Sequence, residues 1–190
     1  FRGGAAVPVK QQADAAVAGI DAVGHVLVVR RTGSDIPWTP GRDVWWHDVV
    51  DPAHEHHEAE AFDAETPLFI IYTSGTTGKP KGLVHTTGGY LTQASWTHWA
   101  VFDAKDEDVH WCTADLAWVT AHTYELYGPL SNGVTQVIYE GTPNAGHRGR
   151  HFEIIERYGV TPYYTAPPLT RTLRPGFPGG PPEAPRAAGA

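Results

Sequence analysis

Residues 72–82 read Tyr72-Thr73-Ser74-Gly75-Thr76-Thr77-Gly78-Lys79-Pro80-Lys81-Gly82 and follow a strand-like apolar run at 68–71. The three glycines remove side chains that would hold a polyphosphate away from the main chain, so successive N–H groups can point at phosphate oxygens. Thr73, Ser74, Thr76 and Thr77 add hydroxyl donors, and Lys79 and Lys81 add positive charge. This pattern suits the binding of phosphate groups. It is not a Walker A loop, because Gly75 and Gly78 are separated by two residues instead of four and Lys79 precedes Pro80 instead of Ser or Thr.

Other reactive side chains carry less. His54-Glu55-His56-His57-Glu58 lacks the His-Glu-x-x-His spacing that sets two imidazoles on one helical face, and it reads as an exposed polar loop. Cys112 lies in an apolar strand-like run, where a buried thiol is expected. His122 and Asp115 receive no role, and no metal ligands or catalytic triad are assigned.

The elements that must position these residues alternate. Helices are expected over 11–19, 88–101, 121–130 and 152–158, and strands over 25–30, 68–72, 82–85, 109–113, 134–139 and 160–165. Residues 33–48 read as irregular around Pro37 and Pro40, and 51–67 as an acidic surface excursion. The 68–72 strand is expected to be buried, and Trp96, Trp99 and Ala100 to be the packing positions of their helix. The alternation predicts an α/β fold with a mostly parallel sheet flanked by helices.

Composition bounds the function. The chain has 190 residues, 41% of them hydrophobic, which is enough for a domain with a real core. No apolar stretch is long enough to span a bilayer, so no membrane association is expected. A net charge of −7 argues against nucleic-acid binding, which rewards clustered cations. The single cysteine excludes a disulfide framework and suits a reducing, cytoplasmic compartment.

The loop at 72–82 resembles the nucleotide-loop signature of the adenylate-forming enzymes. Further segments narrow the resemblance: Arg42–Asp48 as RDVWWHD, His85–Tyr90 as HTTGGY, Trp111–Asp115 as WCTAD, Trp118-Val119-Thr120, Tyr127–Leu130 as YGPL and Tyr163–Pro167 as YYTAP. Together they look like the AMP-forming acetyl-CoA synthetases. The resemblance covers about residues 1–170 and implies part of the large N-terminal AMP-binding domain of such an enzyme. It implies acetate, ATP and coenzyme A as substrates, with Mg2+ held by residues outside this chain. Protein partners are left unspecified.

Residue by residue, the resemblance gives Thr73, Ser74, Gly75, Thr76, Thr77, Gly78, Lys79 and Lys81 to the ATP phosphates. It gives Trp118, Val119, Thr120 and Ala121 to the acyl pocket, with Thr120 reaching toward coenzyme A. Arg2, Gly3, Gly4, Ala5 and Asn144 align with coenzyme A contacts, although Ala5 replaces a basic residue. Ala117 and Ala121 stand where glycine is usual, so each adds a methyl group beside the expected pocket.

From residue 174 to 190, thirteen of seventeen residues are Pro, Gly or Ala. The segment 171–190 therefore reads as a disordered tail or a frameshifted end, and the absence of an initiator Met as a start in mid-gene. Adenine-, ribose- and metal-binding parts of the family pattern have no counterpart here, so the chain itself is expected to be inactive. A synthetase for propionate or another short acid, or a non-catalytic nucleotide-binding remnant, are the alternatives.

Overall fold

The computed structural model describes residues 5–73, 78–142, 146–147 and 149–173. The tail beyond residue 173 lies outside them. The chain divides between Glu60 and Ala61 into two compact units.

In the first unit, helix α1 (Val9–Val17) accompanies two short parallel strands, β1 (Val26–Val28) and β2 (Asp43–Trp45), in the register Val26↔Asp43 to Val28↔Trp45. A strand with a buried aspartate needs cations beside it, and they are present. Lys10 Nζ lies 2.7 Å from Asp43 and 2.6 Å from Asp14, and Arg42 Nε lies 2.7 Å from Asp43 while its terminal nitrogen bonds Asp14. The Thr39 N–H donates to Asp43 at 2.8 Å. Arg42, with Lys10 and this N–H, holds the Asp43 carboxyl well below the usual carboxylate range. Trp38 and Trp45 stack at 4.4 Å, and the Arg30 guanidinium lies 4.4 Å from the Trp45 ring centre. The stretch expected to be irregular thus holds β2 and a short helix, α2 (Trp46–Val50). Long-range ion pairs, invisible to local propensity, fix the strand.

The second unit begins with an antiparallel hairpin of β3 (Pro67–Thr73) and β4 (Lys81–Thr86), which pairs Thr73 with Lys81 at the base of the intervening loop. Helix α3 (Thr87–Phe102) follows. Strand β5 (Val109–Cys112) is the centre of a three-stranded parallel sheet in the order β6-β5-β7, with β6 at Thr135–Gln136 and β7 at Tyr163–Tyr164. Between β5 and β6 run α4 (Val119–Ala121), a π-helix (His122–Tyr127) and α5 (Gly128–Ser131). Helices α6 (Arg150–Tyr158) and α7 (Pro167–Leu173) complete the described chain.

The helix–strand alternation is as expected, but the single sheet is replaced by three small ones, one of them antiparallel. Strand β3 is half-covered: Ile70 and Tyr72 are exposed, while Phe69 packs on Tyr90 with ring centres 4.9 Å apart. A two-stranded ribbon offers only one face to a covering helix, which leaves the other face in solvent. The packing face of α3 also differs from expectation. Tyr90, Ala94 and His98, spaced by four, are buried, whereas Trp96, Trp99 and Ala100 are exposed. The cause is the approach of α5: a Cβ on Gly128 would lie 2.9 Å from the His98 Cβ and 2.7 Å from the Thr123 carbonyl oxygen. Such a close crossing admits alanine and a flat imidazole and leaves no room for indoles. Strand β6 spans two residues where six were expected.

Candidate active site

One end of the hairpin carries the described residues of the stretch expected to bind phosphate. Thr73 closes β3, Lys81 opens β4, and both are exposed, as is Lys79. Gly78 has φ 85°, a left-handed conformation that a side chain would strain. Among the described residues no carboxylate is paired with Lys79 or Lys81, so both charges face solvent. Ser74, Gly75, Thr76 and Thr77 lie outside the described residues.

A cleft of about 680 Å³ opens at the carboxyl ends of β5 and β7. Ligands of parallel α/β sheets bind at this end of the strands. The Thr113 hydroxyl donates to Thr165 at 2.7 Å, and the Thr113 N–H to the Tyr164 carbonyl at 3.0 Å, tying the two strand ends together. Asp115 shapes the next turn: its carboxylate accepts the Ala117 N–H at 2.9 Å, and its carbonyl accepts the Trp118 N–H at 2.9 Å. That turn delivers Trp118 and Thr120 to the cleft.

Of the four expected acyl-pocket residues, Trp118 and Thr120 line this cleft, while Val119 and Ala121 do not. Ala121 is wholly buried, so its methyl group packs into the protein interior and does not narrow the cleft. Of the expected coenzyme A contacts, Ala5 belongs to the first unit and is exposed; Arg2, Gly3, Gly4 and Asn144 lie outside the described residues. His122 turns back on its own loop, with Nε2 2.8 Å from the Leu116 carbonyl.

The helix that follows supplies a residue not singled out from sequence. Glu125 is only 7% exposed and lines the cleft; burial, with a smaller contribution from the Asp115 charge, pushes its carboxyl up to about 7. An acidic residue among Tyr124, Leu126 and Tyr127 is the signal that could have marked it. Cys112, also in the lining, is buried and pushed up to about 11, which leaves it a thiol without nucleophilic character at neutral pH. His151 stacks on Trp111 at 4.8 Å and bonds the Tyr163 hydroxyl at 3.0 Å; burial lowers its pKa and keeps it neutral.

A second cleft, of about 720 Å³ between β6 and α6, holds none of the residues expected to act. Its charges are largely satisfied, since Glu153 meets Arg150 at 3.3 Å and His147 at 2.9 Å. The cleft at β5 and β7 is therefore the better candidate site. His56 and Glu58 pair at 2.6 Å on the surface, and no described group of three or more His, Cys, Asp or Glu could hold a metal ion.

A family model described as AMP-binding enzyme matches residues 4–187. The chain belongs to the AMP-binding enzyme family. Relatives within this family include the acetyl-coenzyme A synthetase of Mycolicibacterium smegmatis, 64% identical over 174 residues that cover 91% of this chain and 18% of the relative. The acetyl-coenzyme A synthetase of Streptomyces coelicolor is 61% identical over 91% of this chain and 27% of its own length. That of Mycobacterium tuberculosis is 62% identical over 90% and 27%. The chain therefore spans about a fifth to a quarter of the length of these AMP-binding relatives. No described helix is long and apolar enough to cross a membrane.

Proposed function

We propose that this chain forms part of a cytoplasmic AMP-forming acetate–CoA ligase and that residues 1–170 belong to its AMP-binding domain. Acetate attacks the α-phosphorus of ATP, forming acetyl-adenylate and releasing pyrophosphate; the thiol of coenzyme A then attacks the acyl carbon and AMP leaves. In this reading the loop at 73–82 holds the β and γ phosphates, with Lys79 and Lys81 opposing their charge. Trp118 is an apolar wall of the acyl cleft and Thr120 a polar contact. Arg2, Gly3, Gly4 and Asn144 are assigned to coenzyme A. Bound Mg2+ supplies charge neutralisation on the polyphosphate, and its ligands are assigned to the rest of the enzyme.

The observation that carries the reading is the opening of Trp118 and Thr120 into the cleft at the carboxyl ends of β5 and β7. The acetyl-coenzyme A synthetases to which the chain is similar point to the same reaction. To test it, the matched segment of the Streptomyces coelicolor synthetase is replaced by this chain's residues, and acetate-dependent exchange of pyrophosphate into ATP is measured. Exchange with acetate is expected. ATP binding without exchange would instead favour a nucleotide-binding remnant, and exchange with propionate alone would shift the substrate.

A further inference from the structure

Strand β6 lies at one edge of its sheet. Residues 134–139 are rich in β-branched side chains and hold neither proline nor charge, yet only Thr135 and Gln136 pair with β5. The Val137 N–H donates to the His110 carbonyl at 2.9 Å, so the main-chain groups of Gln136 and Ile138, one step away on either side, face outward. Among the described residues none takes up these groups. Proteins blunt such edges with charge, proline or a covering segment, and an edge left bare is a template for another strand.

Beside this edge runs α6, and the two enclose the cleft of about 720 Å³. Helix α6 lines it with Arg150, Ile154 and Arg157, whose spacing puts them on one helical face. Ile138, 67% exposed, lines the strand side. Glu153 is the only acid of the lining and is already held by Arg150 and His147. Arg157 has no carboxylate partner among the described residues; its guanidinium lies 5.4 Å from the Tyr158 ring centre. A groove with a spare arginine, on a chain whose net charge is −7, favours an acidic occupant.

We propose that this groove takes an extended segment of a separate protein as a strand added to β6, with acidic, apolar and acidic side chains at alternate positions. Main-chain bonds to Gln136 and Ile138 supply the pairing, and the alternate side chains read the helix. The central apolar residue meets Ile154, and the two acids meet Arg150 and Arg157. The dimensions agree. The arginines are seven residues apart, about 10 Å along the helix axis, and acids four residues apart on a strand are separated by about 14 Å. Two flexible arginine side chains take up the difference. The added strand also gives 137–139 the pairing that their β propensity favours. The chain's own exposed acidic stretch, Glu58-Ala59-Glu60-Ala61-Phe62, places its apolar residue last, which favours a separate partner over a second copy. No residue proposed for acetate, ATP or coenzyme A lines this groove, so the inference is independent of that reading.

The experiment titrates the 15N-labelled chain with the capped peptides TETVTET and TKTVTKT and follows the backbone amides by NMR. The acidic peptide is expected to bind about tenfold more tightly than the lysine peptide, with the largest shifts at the amides of Gln136 and Ile138 and slowed hydrogen exchange over 137–139. Arg157→Glu is expected to reverse the preference. Ile138→Pro, which removes an outward N–H and keeps the Val137 bond to His110, is expected to abolish binding of both peptides. Equal binding of the two peptides, shifts confined to other sites, or a preference unchanged in Arg157→Glu would overturn the proposal. So would a folded chain that binds neither peptide at millimolar concentration. Shifts of the same amides that grow with chain concentration in the absence of peptide would make a second copy the occupant and overturn the assignment to a separate protein.

Discussion

His98 of α3 and His110 of β5 meet edge to face with ring centres 4.8 Å apart, and neither is exposed to solvent. His98 Nδ1 faces the Asn132 side-chain amide at 3.1 Å, and His110 Nε2 lies 3.0 Å from the Tyr124 carbonyl. These partners assign the tautomers: His98 accepts at Nδ1 and carries its proton on Nε2, and His110 donates from Nε2. The two remaining ring nitrogens, His98 Nε2 and His110 Nδ1, are buried without partners among the described residues. They are a donor and an acceptor, a complementary pair.

This pair makes the second unit acid-sensitive. Burial, reinforced by His110, lowers His98 from 6.5 to about 4, and burial lowers His110 as well. Both groups bind protons more readily in the unfolded chain, so their contribution is intact above about pH 6.5 and is lost as pH falls toward 4. Asp108 opposes the shift at both rings and does not overcome it. The melting temperature is expected to fall steeply between pH 6.5 and 4, and the fall to flatten in His98→Phe. An equally steep fall in that variant would place the acid sensitivity elsewhere.

Glu125 acts in the opposite direction. Its folded pKa is raised from 4.5 to about 7, so the folded chain holds the proton more tightly and stability declines as pH rises through that window. Glu125→Gln is expected to stabilise the chain at pH 8 by on the order of 1–2 kcal/mol, with little effect at pH 4.5. Chemical denaturation at the two pH values reads the difference. A variant equally destabilised at both would show that the carboxyl is bonded and not isolated.

The crossing of α3 and α5 at Gly128 allows no side chain. A methyl group there would meet the Thr123 carbonyl oxygen at 2.7 Å, a backbone atom that cannot swing away. Gly128→Ala is expected to cost about 1–3 kcal/mol through forced separation of the helices. A change under about 0.5 kcal/mol, the scale of ordinary surface substitutions, would mean that the crossing is looser than these distances state.

Much of the second unit was legible because its elements are local. The helical spacing in α3, the strands flanking the loop at 72–82 and the helical run after Trp118 all carry their own signals. Two kinds of feature were not. The face that α3 buries depends on Gly128, thirty residues beyond His98, and periodicity alone pointed to the tryptophans. Strand β2 depends on Lys10 and Arg42 meeting Asp43, an arrangement that no local window contains. Within the site, Trp118 and Thr120 were legible through the family motif, whereas Glu125 was hidden because its importance lies in burial. The inward turn of Ala121 was hidden for the same reason, since adjacent helical residues point in different directions.

The ion network offers a test of the first unit. Asp43 is enclosed by Lys10, Arg42 and the Thr39 N–H, so removing one cation leaves the buried carboxylate short of a partner. Lys10→Met keeps the apolar stem and removes only the charge. A loss of about 3 kcal/mol, the scale for breaking a buried pair, is expected for that unit. Lys10→Met combined with Asp43→Asn should recover part of it. Hydrogen exchange at the amides of β1 and β2 would report the change; no loss of protection in the single variant would show that Arg42 alone suffices.

The loop proposed to hold phosphate gives the most direct test of function. Thr73 and Lys81 are register partners at the base of the hairpin, so Lys81 is anchored by the sheet, whereas Lys79 stands beyond the last ladder pair. Each is exposed, and an exposed cation about 4 Å from a phosphate charge contributes about 1 kcal/mol in water, or about fivefold in affinity. Lys79→Ala and Lys81→Ala are therefore each expected to weaken binding of inorganic pyrophosphate to the chain by about fivefold at low salt. The losses should shrink as ionic strength rises and the Debye length shortens to about 8 Å at physiological salt. Titration calorimetry at two salt concentrations separates these outcomes, and losses that do not respond to salt would assign the two lysines to folding instead of phosphate binding.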